Sequence, residues 1–270
     1  MSSELTPPLG LHRVTSSPVD GLAMAERRVD RPRASIVCVH GGLDRGGSFA
    51  RLARRTDDFD LVTYDRRGYQ GSRALGPLGL AHHVDDLLAV ARSEAARGPV
   101  ILFGHSYGGV VALGAMVAEP SLAQLGILYE SPMPWVLQRE SARAPLTSDP
   151  ALEAEQFFRR MVSNSAWERL SDVEKDARRL DGPALLSDLT SLHGGDEVLD
   201  VAQLKVPTYY LYGDADVARR DYYRALCAKL TAMNGAIRSR EIAGAGHGAH
   251  LSKPDHLAAL IASLWASVCA

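Results

Sequence analysis

Ser106 lies in a sequence pattern that could make its hydroxyl a nucleophile. It follows the apolar run at residues 100–103 and has Gly104 and Gly108 two positions to either side. A nucleophilic serine on a sharp turn between a strand and a helix needs this spacing, because a Cβ at either glycine would collide with neighbouring backbone. We therefore predict that Ser106 is the nucleophile of an acyl-transfer reaction, and that a helix follows it at residues 109–119.

A serine hydroxyl needs a general base, and imidazole is the usual one. Of the nine histidines, His247 lies between two glycines in a loop after a predicted strand at residues 237–242. Such a loop leaves the imidazole free to reach a neighbouring loop, so we favour His247 as the base. His250, three residues later, is the alternative, whereas His40 and His105 adjoin predicted strand ends and are expected to brace turns.

The base in turn needs a carboxylate that fixes its tautomer and stabilises its cation. Asp214 and Asp216 follow a predicted strand at residues 208–211, and Glu130 directly follows another at residues 125–129. We favour Asp216, with Asp214 second and Glu130 as a third candidate. The alternative role for either aspartate is to cap the turn or the helix after it.

The oxyanion of an acyl-transfer transition state needs backbone donors that are in place beforehand. The N–H of Tyr107, the residue after the proposed nucleophile, is one expected donor. The second is expected from the glycine turn at residues 40–43, where the backbone can approach a substrate closely. We favour Gly42, with Leu43 as the alternative.

The elements that must position these residues are short strands that alternate with helical stretches. The predicted strands lie at residues 34–39, 61–64, 100–103, 125–129, 208–211 and, with a weaker pattern, 237–242. Most are apolar on both faces, which is typical of a mostly parallel sheet that helices cover on both sides. The sequence therefore predicts an α/β fold with a doubly wound sheet.

The alternation stops between residues 131 and 206, where amphipathic stretches at 152–161 and 167–180 predict helices instead. We divide the chain into a core, residues 1–130 and 207–270, and a helical lid, residues 131–206. An insertion at the carboxyl end of a strand lies where such folds bind ligands. Aromatic residues of the lid are expected, together with Leu43, to line a substrate pocket, or else to pack inside the lid. These lid residues are Trp135, Phe157, Phe158 and Trp167.

The composition excludes several classes of function. The 270 residues include 30 Lys+Arg and 32 Asp+Glu, for a net charge of −2. A general nucleic-acid-binding protein would show a marked basic excess, so no nucleic-acid partner is expected. No run approaches the roughly 18 apolar residues of a membrane span, and residues 1–10 lack the pattern of a leader. We expect a cytoplasmic protein, as a monomer or homodimer.

No cofactor or metal site is predicted. The three cysteines lie far apart, so neither a disulfide framework nor a CxxC site is indicated. His82 and His83 precede two aspartates, but adjacent residues on a helix point to different faces, whereas a metal needs convergent ligands. No phosphate-binding loop or dinucleotide fingerprint occurs either.

Taken together, these motifs resemble the α/β-hydrolase superfamily in its lidded form, over residues 34–260. The matching segments are residues 40–42, 64–72, 104–109, 213–216 and 246–247. The resemblance implies an α/β-hydrolase fold and a Ser-His-Asp triad, and it places the acid at Asp216. It also implies that Asp65 has a structural role. Because residue 106 is Ser rather than Asp, the resemblance does not extend to epoxide hydrolases or haloalkane dehalogenases.

The expected activity is that of a serine hydrolase, which cleaves a small or medium apolar carboxylic ester, thioester or amide through an acyl-enzyme. The same triad in this superfamily also supports C–C bond hydrolysis, perhydrolysis and acyl transfer. A receptor that binds a small molecule without turnover is a further alternative. Fold resemblance does not decide among these activities.

Overall fold

An eight-stranded sheet forms the centre of the structure, a computed structural model that describes residues 10–138, 145, 147–194 and 198–269. The strand order is β1-β2-β4-β3-β5-β6-β7-β8. The pairs β1–β2 and β2–β4 are antiparallel, and the other neighbouring pairs are parallel. The strands are β1 (His12–Arg13), β2 (Met24–Arg27), β3 (Ser35–Val39), β4 (Asp60–Tyr64), β5 (Val100–His105), β6 (Leu125–Tyr129), β7 (Thr208–Gly213) and β8 (Ile237–Ile242).

Helices lie between the parallel strands and cover both faces of the sheet. They are α1 (Ala50–Ala53), α2 (Leu80–Ala95), α3 (Tyr107–Ala118), α4 (Pro150–Met161), α5 (Asn164–Glu168), α6 (Asp172–Leu180), α7 (Gly182–His193), α8 (Val217–Met233), α9 (Ala249–Ser252) and α10 (Pro254–Val268). Short 3₁₀ helices occur at Gly46–Phe49, Gln70–Leu75 and Val201–Gln203. Among the residues described, no helix is both long enough and apolar enough to cross a membrane.

The central strands are buried on both faces because their successive side chains enter two different hydrophobic cores. Val37 and Leu102 pack into the core that α2, α3 and α8 cover. Ile36 and Phe103, their neighbours in sequence, pack into the opposite core with α1 and α10. This two-residue alternation between layers explains why the strands are continuous apolar runs. The prediction of a mostly parallel, doubly wound α/β sheet is confirmed.

The structure adds an antiparallel edge, β1 and β2, that the sequence analysis did not predict. Strand β2 buries only its first residue, Met24, so it has no apolar run that would reveal it. The observed helix α3 begins at Tyr107, two residues before the predicted start. Strand β7 extends to Gly213, two residues beyond the predicted end.

Helices α4 to α7 all lie between β6 and β7, within the segment that the sequence analysis assigned to a lid. Of that segment, residues 139–144, 146 and 195–197 lie outside the described residues. The N-termini of α4, α5 and α6 are capped by the side chains of Asp149, Ser163 and Ser171, which satisfy N–H groups that no helical carbonyl reaches. Helix α4 packs against both α6 and α7.

Candidate active site

Ser106 lies at the turn between β5 and α3, with backbone angles φ 54° and ψ −126°. A side chain other than glycine rarely adopts a positive φ, so this conformation persists only where the surroundings impose it. A Cβ on Gly104 would overlap the backbone of Gly109, and a Cβ on Gly108 would overlap the carbonyl of Val39. The turn is therefore packed so closely that glycine is required on both sides of Ser106.

His247 donates a hydrogen bond from Nδ1 to Oε2 of Glu130, over 2.7 Å. The Glu130 side chain is fully buried, and its Oε1 accepts the N–H of Gly213 at 3.1 Å. Nη1 of Arg219 lies 3.6 Å from Oε2. The buried carboxylate thus faces an imidazole, a backbone N–H and a guanidinium, as a buried charge requires. This is the geometry in which a carboxylate orients a catalytic imidazole.

The expectation that Asp216 orients His247 is wrong. Asp216 is exposed and caps α8, where its side chain accepts the N–H of Arg219 at 2.9 Å. Asp214 accepts the N–H of Gly244 at 2.5 Å and is not the partner either. The hydrogen bond comes from Glu130, which was the third candidate. Strands β6 and β7 are neighbours, so both bring carboxylates to the same end of the sheet, and sequence alone did not choose between them.

Three other histidines near the site are buried and contact neighbouring groups. His250, the alternative base, is buried and its ring packs against Phe49 and His105. His105 lies with its Nε2 at 2.8 Å from the carbonyl oxygen of His247. His40 accepts the N–H of Arg66, and burial lowers its pKa to about 3. His40 and His105 therefore brace turns next to the site.

Ser106 and His247 border the same two cavities, although no hydrogen bond joins their side chains in the part of the chain that the structure describes. Gly42, Phe157 and Met161 also border both cavities.

The first cavity, which we name the Tyr222 cavity, has a volume of about 330 Å³. Its other lining residues include Arg160, Leu185, Leu189, Leu192, Arg219 and Tyr222. The second, which we name the Asp44 cavity, has a volume of about 460 Å³. Its other lining residues include Leu43, Asp44, His105, Phe158, Arg178 and His250.

The predicted pocket residues divide into two groups. Leu43 and Phe158 border the Asp44 cavity, and Phe157 borders both cavities. Trp167 borders neither, because it is 1% exposed and packs edge-on against Phe158 at a ring separation of 5.5 Å. Trp135 also borders neither and packs against the main hydrophobic core. Trp167 and Trp135 therefore pack as the alternative interpretation of the sequence expects, and neither lines these two cavities.

The two residues expected to supply the oxyanion donors, Gly42 and Tyr107, line the Tyr222 cavity together with Ser106. Tyr107 is the first residue of α3, where N–H groups point out of the helix end. Gly42 borders both cavities, and the adjacent Gly41 is so close that a Cβ there would lie 2.9 Å from Cβ of Ser106. Leu43 adopts a positive φ of 54°, which turns the chain sharply after these glycines.

A buried ion pair that the sequence analysis missed supports the glycine turn. The guanidinium of Arg66 donates to the carbonyl oxygens of His40 and Gly41, at 3.0 and 3.2 Å. It also forms a two-pronged ion pair with Asp188 of α7, at 3.0 and 2.6 Å. Tyr69 donates a further hydrogen bond to Asp188 at 2.6 Å. Arg66 and Asp188 are 122 residues apart in sequence, so no local pattern could have revealed their pairing.

The ion pair between Arg66 and Asp188 also shifts the pKa values of the buried groups around it. Burial would raise the pKa of Asp188, but the charge of Arg66 and hydrogen bonds from His83 and Arg66 hold it well below its usual range. Burial and the charge of Arg66 lower the pKa of His83. His83, one of the two adjacent histidines excluded as metal ligands, thus packs against an ion pair.

One group of side chains could hold a metal ion, judged over the described residues. It consists of Asp44, His105 and His250, whose potential ligand atoms all lie within 4.8 Å of one another. All three border the Asp44 cavity.

Comparison with known proteins assigns the chain to a family. The chain is 28% identical over 251 residues to a pimeloyl-[acyl-carrier protein] methyl ester esterase of Xanthomonas axonopodis pv. citri, covering 87% of this chain and 96% of that protein. It is 26% identical over 245 residues to a 2-succinyl-6-hydroxy-2,4-cyclohexadiene-1-carboxylate synthase of Enterobacter sp. (strain 638), covering 85% and 90% of the two chains.

The fold comparison agrees. The structure of MenH from S. aureus superposes with a TM-score of 0.67 at 16% identity, covering 92% of this chain and 99% of that one. The sequence model of the alpha/beta hydrolase family matches residues 36–260, which include the glycine turn at residues 40–43, Ser106 and His247. The chain therefore belongs to the alpha/beta hydrolase family.

Proposed function

We propose that the chain is a serine hydrolase that cleaves small or medium apolar carboxylic esters through an acyl-enzyme, with Ser106, His247 and Glu130 as its triad. The observation that carries the proposal is the 2.7 Å hydrogen bond from His247 Nδ1 to the buried Glu130. It fixes the tautomer in which Nε2 of His247 can accept a proton. Ser106 borders the same cavities as that imidazole.

The reaction proceeds in two halves. Ser106 Oγ attacks the ester carbonyl while Nε2 of His247 takes its proton, and the imidazolium then protonates the departing alcohol. Water attacks the acyl-enzyme with the same histidine as base, which releases the carboxylic acid and restores the serine. The Ser106–His247 hydrogen bond forms when substrate binds, since such bonds are often long in free enzymes. The N–H groups of Gly42 and Tyr107 hold the oxyanion in both halves.

The lining of the Tyr222 cavity supports an apolar substrate. Leu185, Leu189 and Leu192 of α7 border it, together with Phe157 and Met161 of α4. Pockets of this kind bind apolar groups and leave orientation to a few polar atoms. Helices α4 and α7 of the proposed lid supply this wall, while the core supplies the serine and the histidine. The esterase name of the Xanthomonas relative agrees with ester chemistry.

The direct test is turnover of chromogenic p-nitrophenyl esters of increasing acyl length. Ser106→Ala should lower kcat/KM by at least about 10³-fold, because residual activity rests on the oxyanion donors alone. Ser252→Ala, an exposed serine near the end of α9, is the matched control and should leave turnover unchanged. A fluorophosphonate should label the wild type once and the Ser106→Ala variant not at all. Full activity in that variant would refute the proposal.

The relative from Enterobacter is named a synthase, so product analysis accompanies the ester panel. Assays with peroxide or an amine acceptor, and with C–C substrates, separate hydrolysis from perhydrolysis, acyl transfer and C–C cleavage. An ester panel without multiple turnovers, combined with stoichiometric labelling of Ser106, would instead favour a receptor.

A further inference from the structure

We propose that Asp44, His105 and His250 bind a divalent transition-metal ion of the Zn²⁺ class at the wall of the Asp44 cavity. The site lies beside the proposed triad and shares none of its residues. Oδ2 of Asp44 lies 3.9 Å from Nδ1 of His105 and 3.9 Å from Nε2 of His250. Two ligands of a tetrahedral zinc ion, each about 2.0–2.1 Å from the metal, lie about 3.4 Å apart. Asp44 thus needs to approach each imidazole by only about half an ångström, and all three potential ligand atoms already lie within 4.8 Å of one another.

The first argument is that three of the four imidazole nitrogens in this cluster have no hydrogen-bond partner. Nδ1 of His105 and both ring nitrogens of His250 are buried without a hydrogen bond to any described residue. The two residues are 6% and 1% exposed, respectively. Buried polar atoms are nearly always satisfied, and each exception needs an explanation. A metal ion between the two rings would satisfy one nitrogen of each.

The second argument is the tautomer of His105. Its Nε2 lies 2.8 Å from the backbone carbonyl oxygen of His247, which can only accept a hydrogen bond. The ring proton is therefore on Nε2, and Nδ1 carries the lone pair on the side of Asp44. Metal-binding histidines commonly use this arrangement, in which one nitrogen donates to a carbonyl and the other binds the ion.

The surroundings of Asp44 leave its carboxylate able to act as the third metal ligand. Its Oδ2 accepts a hydrogen bond from Ser48 at 3.1 Å, which orients it. Arg178, a cation that borders the same cavity, donates to the carbonyl oxygen of Leu43 at 2.7 Å.

The donor set defines the class of ion. Two imidazoles and one carboxylate suit Zn²⁺, Co²⁺ and Ni²⁺, whereas Mg²⁺ and Ca²⁺ prefer oxygen ligands. The Asp44 cavity gives an ion a route to the site, and it leaves space for water as a fourth ligand.

The test uses the full chain, stripped with a chelator and then titrated with CoCl₂ and, by calorimetry, with ZnCl₂. We expect one equivalent of Co²⁺ to bind with the visible absorption of a four-coordinate ion, and Zn²⁺ to displace it. MgCl₂ should not compete. Metal binding should also raise the unfolding temperature of the wild type.

Two variants locate the site, and one serves as a control. His250→Phe, which keeps an aromatic ring against Phe49, and Asp44→Asn should each weaken metal affinity at least tenfold. His82→Gln, an exposed histidine on α2, should leave affinity unchanged. If His250→Phe does not fold, the partly exposed Asp44 still decides the question. Absence of a bound equivalent in the wild type, or undiminished affinity in Asp44→Asn, would overturn the proposal. These readouts do not depend on ester turnover, so the proposed function can fail without affecting them.

Discussion

The carboxylate that contacts His247 comes from Glu130, 117 residues earlier in the chain, at the end of β6. The strand next to it, β7, ends close to two aspartates that make other contacts. Glu130 adopts a positive φ of 45°, so the chain turns sharply as it leaves the strand. Its backbone is held on both sides: its N–H donates to Leu211, and its carbonyl accepts the hydroxyl of Tyr223.

Replacing each carboxylate in turn tests whether Glu130 or Asp216 orients His247. Glu130→Gln should lower kcat by about 10³- to 10⁴-fold, because an amide that donates to Nδ1 imposes the wrong tautomer on the imidazole. Asp216→Ala is the matched control. It should keep turnover within a few-fold and lower the free energy of unfolding by about 1 kcal/mol through loss of the α8 cap. Ester kinetics and urea unfolding measure both effects. The opposite pattern of activities would return the acid role to Asp216.

The buried pair of Arg66 and Asp188 should be strongly coupled. Asp188→Leu or Arg66→Met alone leaves one charge buried without its partner, which costs about 3–5 kcal/mol. The double variant removes both charges and should recover much of that loss. A double-mutant cycle by urea denaturation measures the coupling. Strictly additive losses would show that the two charges do not stabilise each other.

The same pair should appear in the pH dependence of stability. The pKa of Asp188 in the folded chain is lowered from an ordinary value of 3.8, so the unfolded chain binds its proton more readily. Its contribution is therefore complete above about pH 5 and is lost as the pH falls through 3.8 toward the lower folded pKa. The difference in unfolding free energy between wild type and Asp188→Asn should shrink from pH 5 to pH 3. A difference that stays constant over this range would contradict the assignment.

The turn around Ser106 should tolerate no side chain at Gly108. Gly108→Ala would press a methyl group into the backbone carbonyls of Val39 and His40, and should cost about 3 kcal/mol or more. Gly98→Ala is the control, because no atom lies within 4 Å of a Cβ added there. That change should alter stability by less than about 0.5 kcal/mol. Thermal and urea unfolding of the two variants provide the comparison, and equal stabilities would show that the turn can relax.

Local patterns were sufficient to predict the parallel part of the sheet, Ser106 and the proposed base. Each of these depends on residues that are close together in sequence: an apolar run, a glycine spacing, or a histidine between glycines. The sheet is confirmed, whereas the catalytic roles stay predictions. The acid could not be chosen in the same way, since Glu130 and Asp216 both follow strands, and the choice depends on which side chain reaches His247 in space.

Contacts between distant segments account for the other differences. Asp188 gave no signal in sequence, because its significance comes from a guanidinium that the fold brings to it. Trp167 lies in a predicted amphipathic helix of the lid segment, but the sequence pattern does not tell whether its ring lines a pocket or packs against neighbouring side chains. In the structure it packs against Phe158. The proximity of His105 and His250 to each other and to Asp44 depends on the fold, since the three residues lie in different segments of the chain.

The ion pair between Arg66 and Asp188 also limits how a substrate can enter. Lifting α7 off the sheet would separate two opposite charges in a water-poor interior, at a cost of several kcal/mol. We therefore expect α7 to stay docked during turnover. Any rearrangement that admits a ligand would then involve α4, where Arg160 and Glu153 form an ion pair within the helix itself. If helices α4 to α7 act as the proposed lid, we therefore expect α7 to be its fixed part and α4 the part that moves.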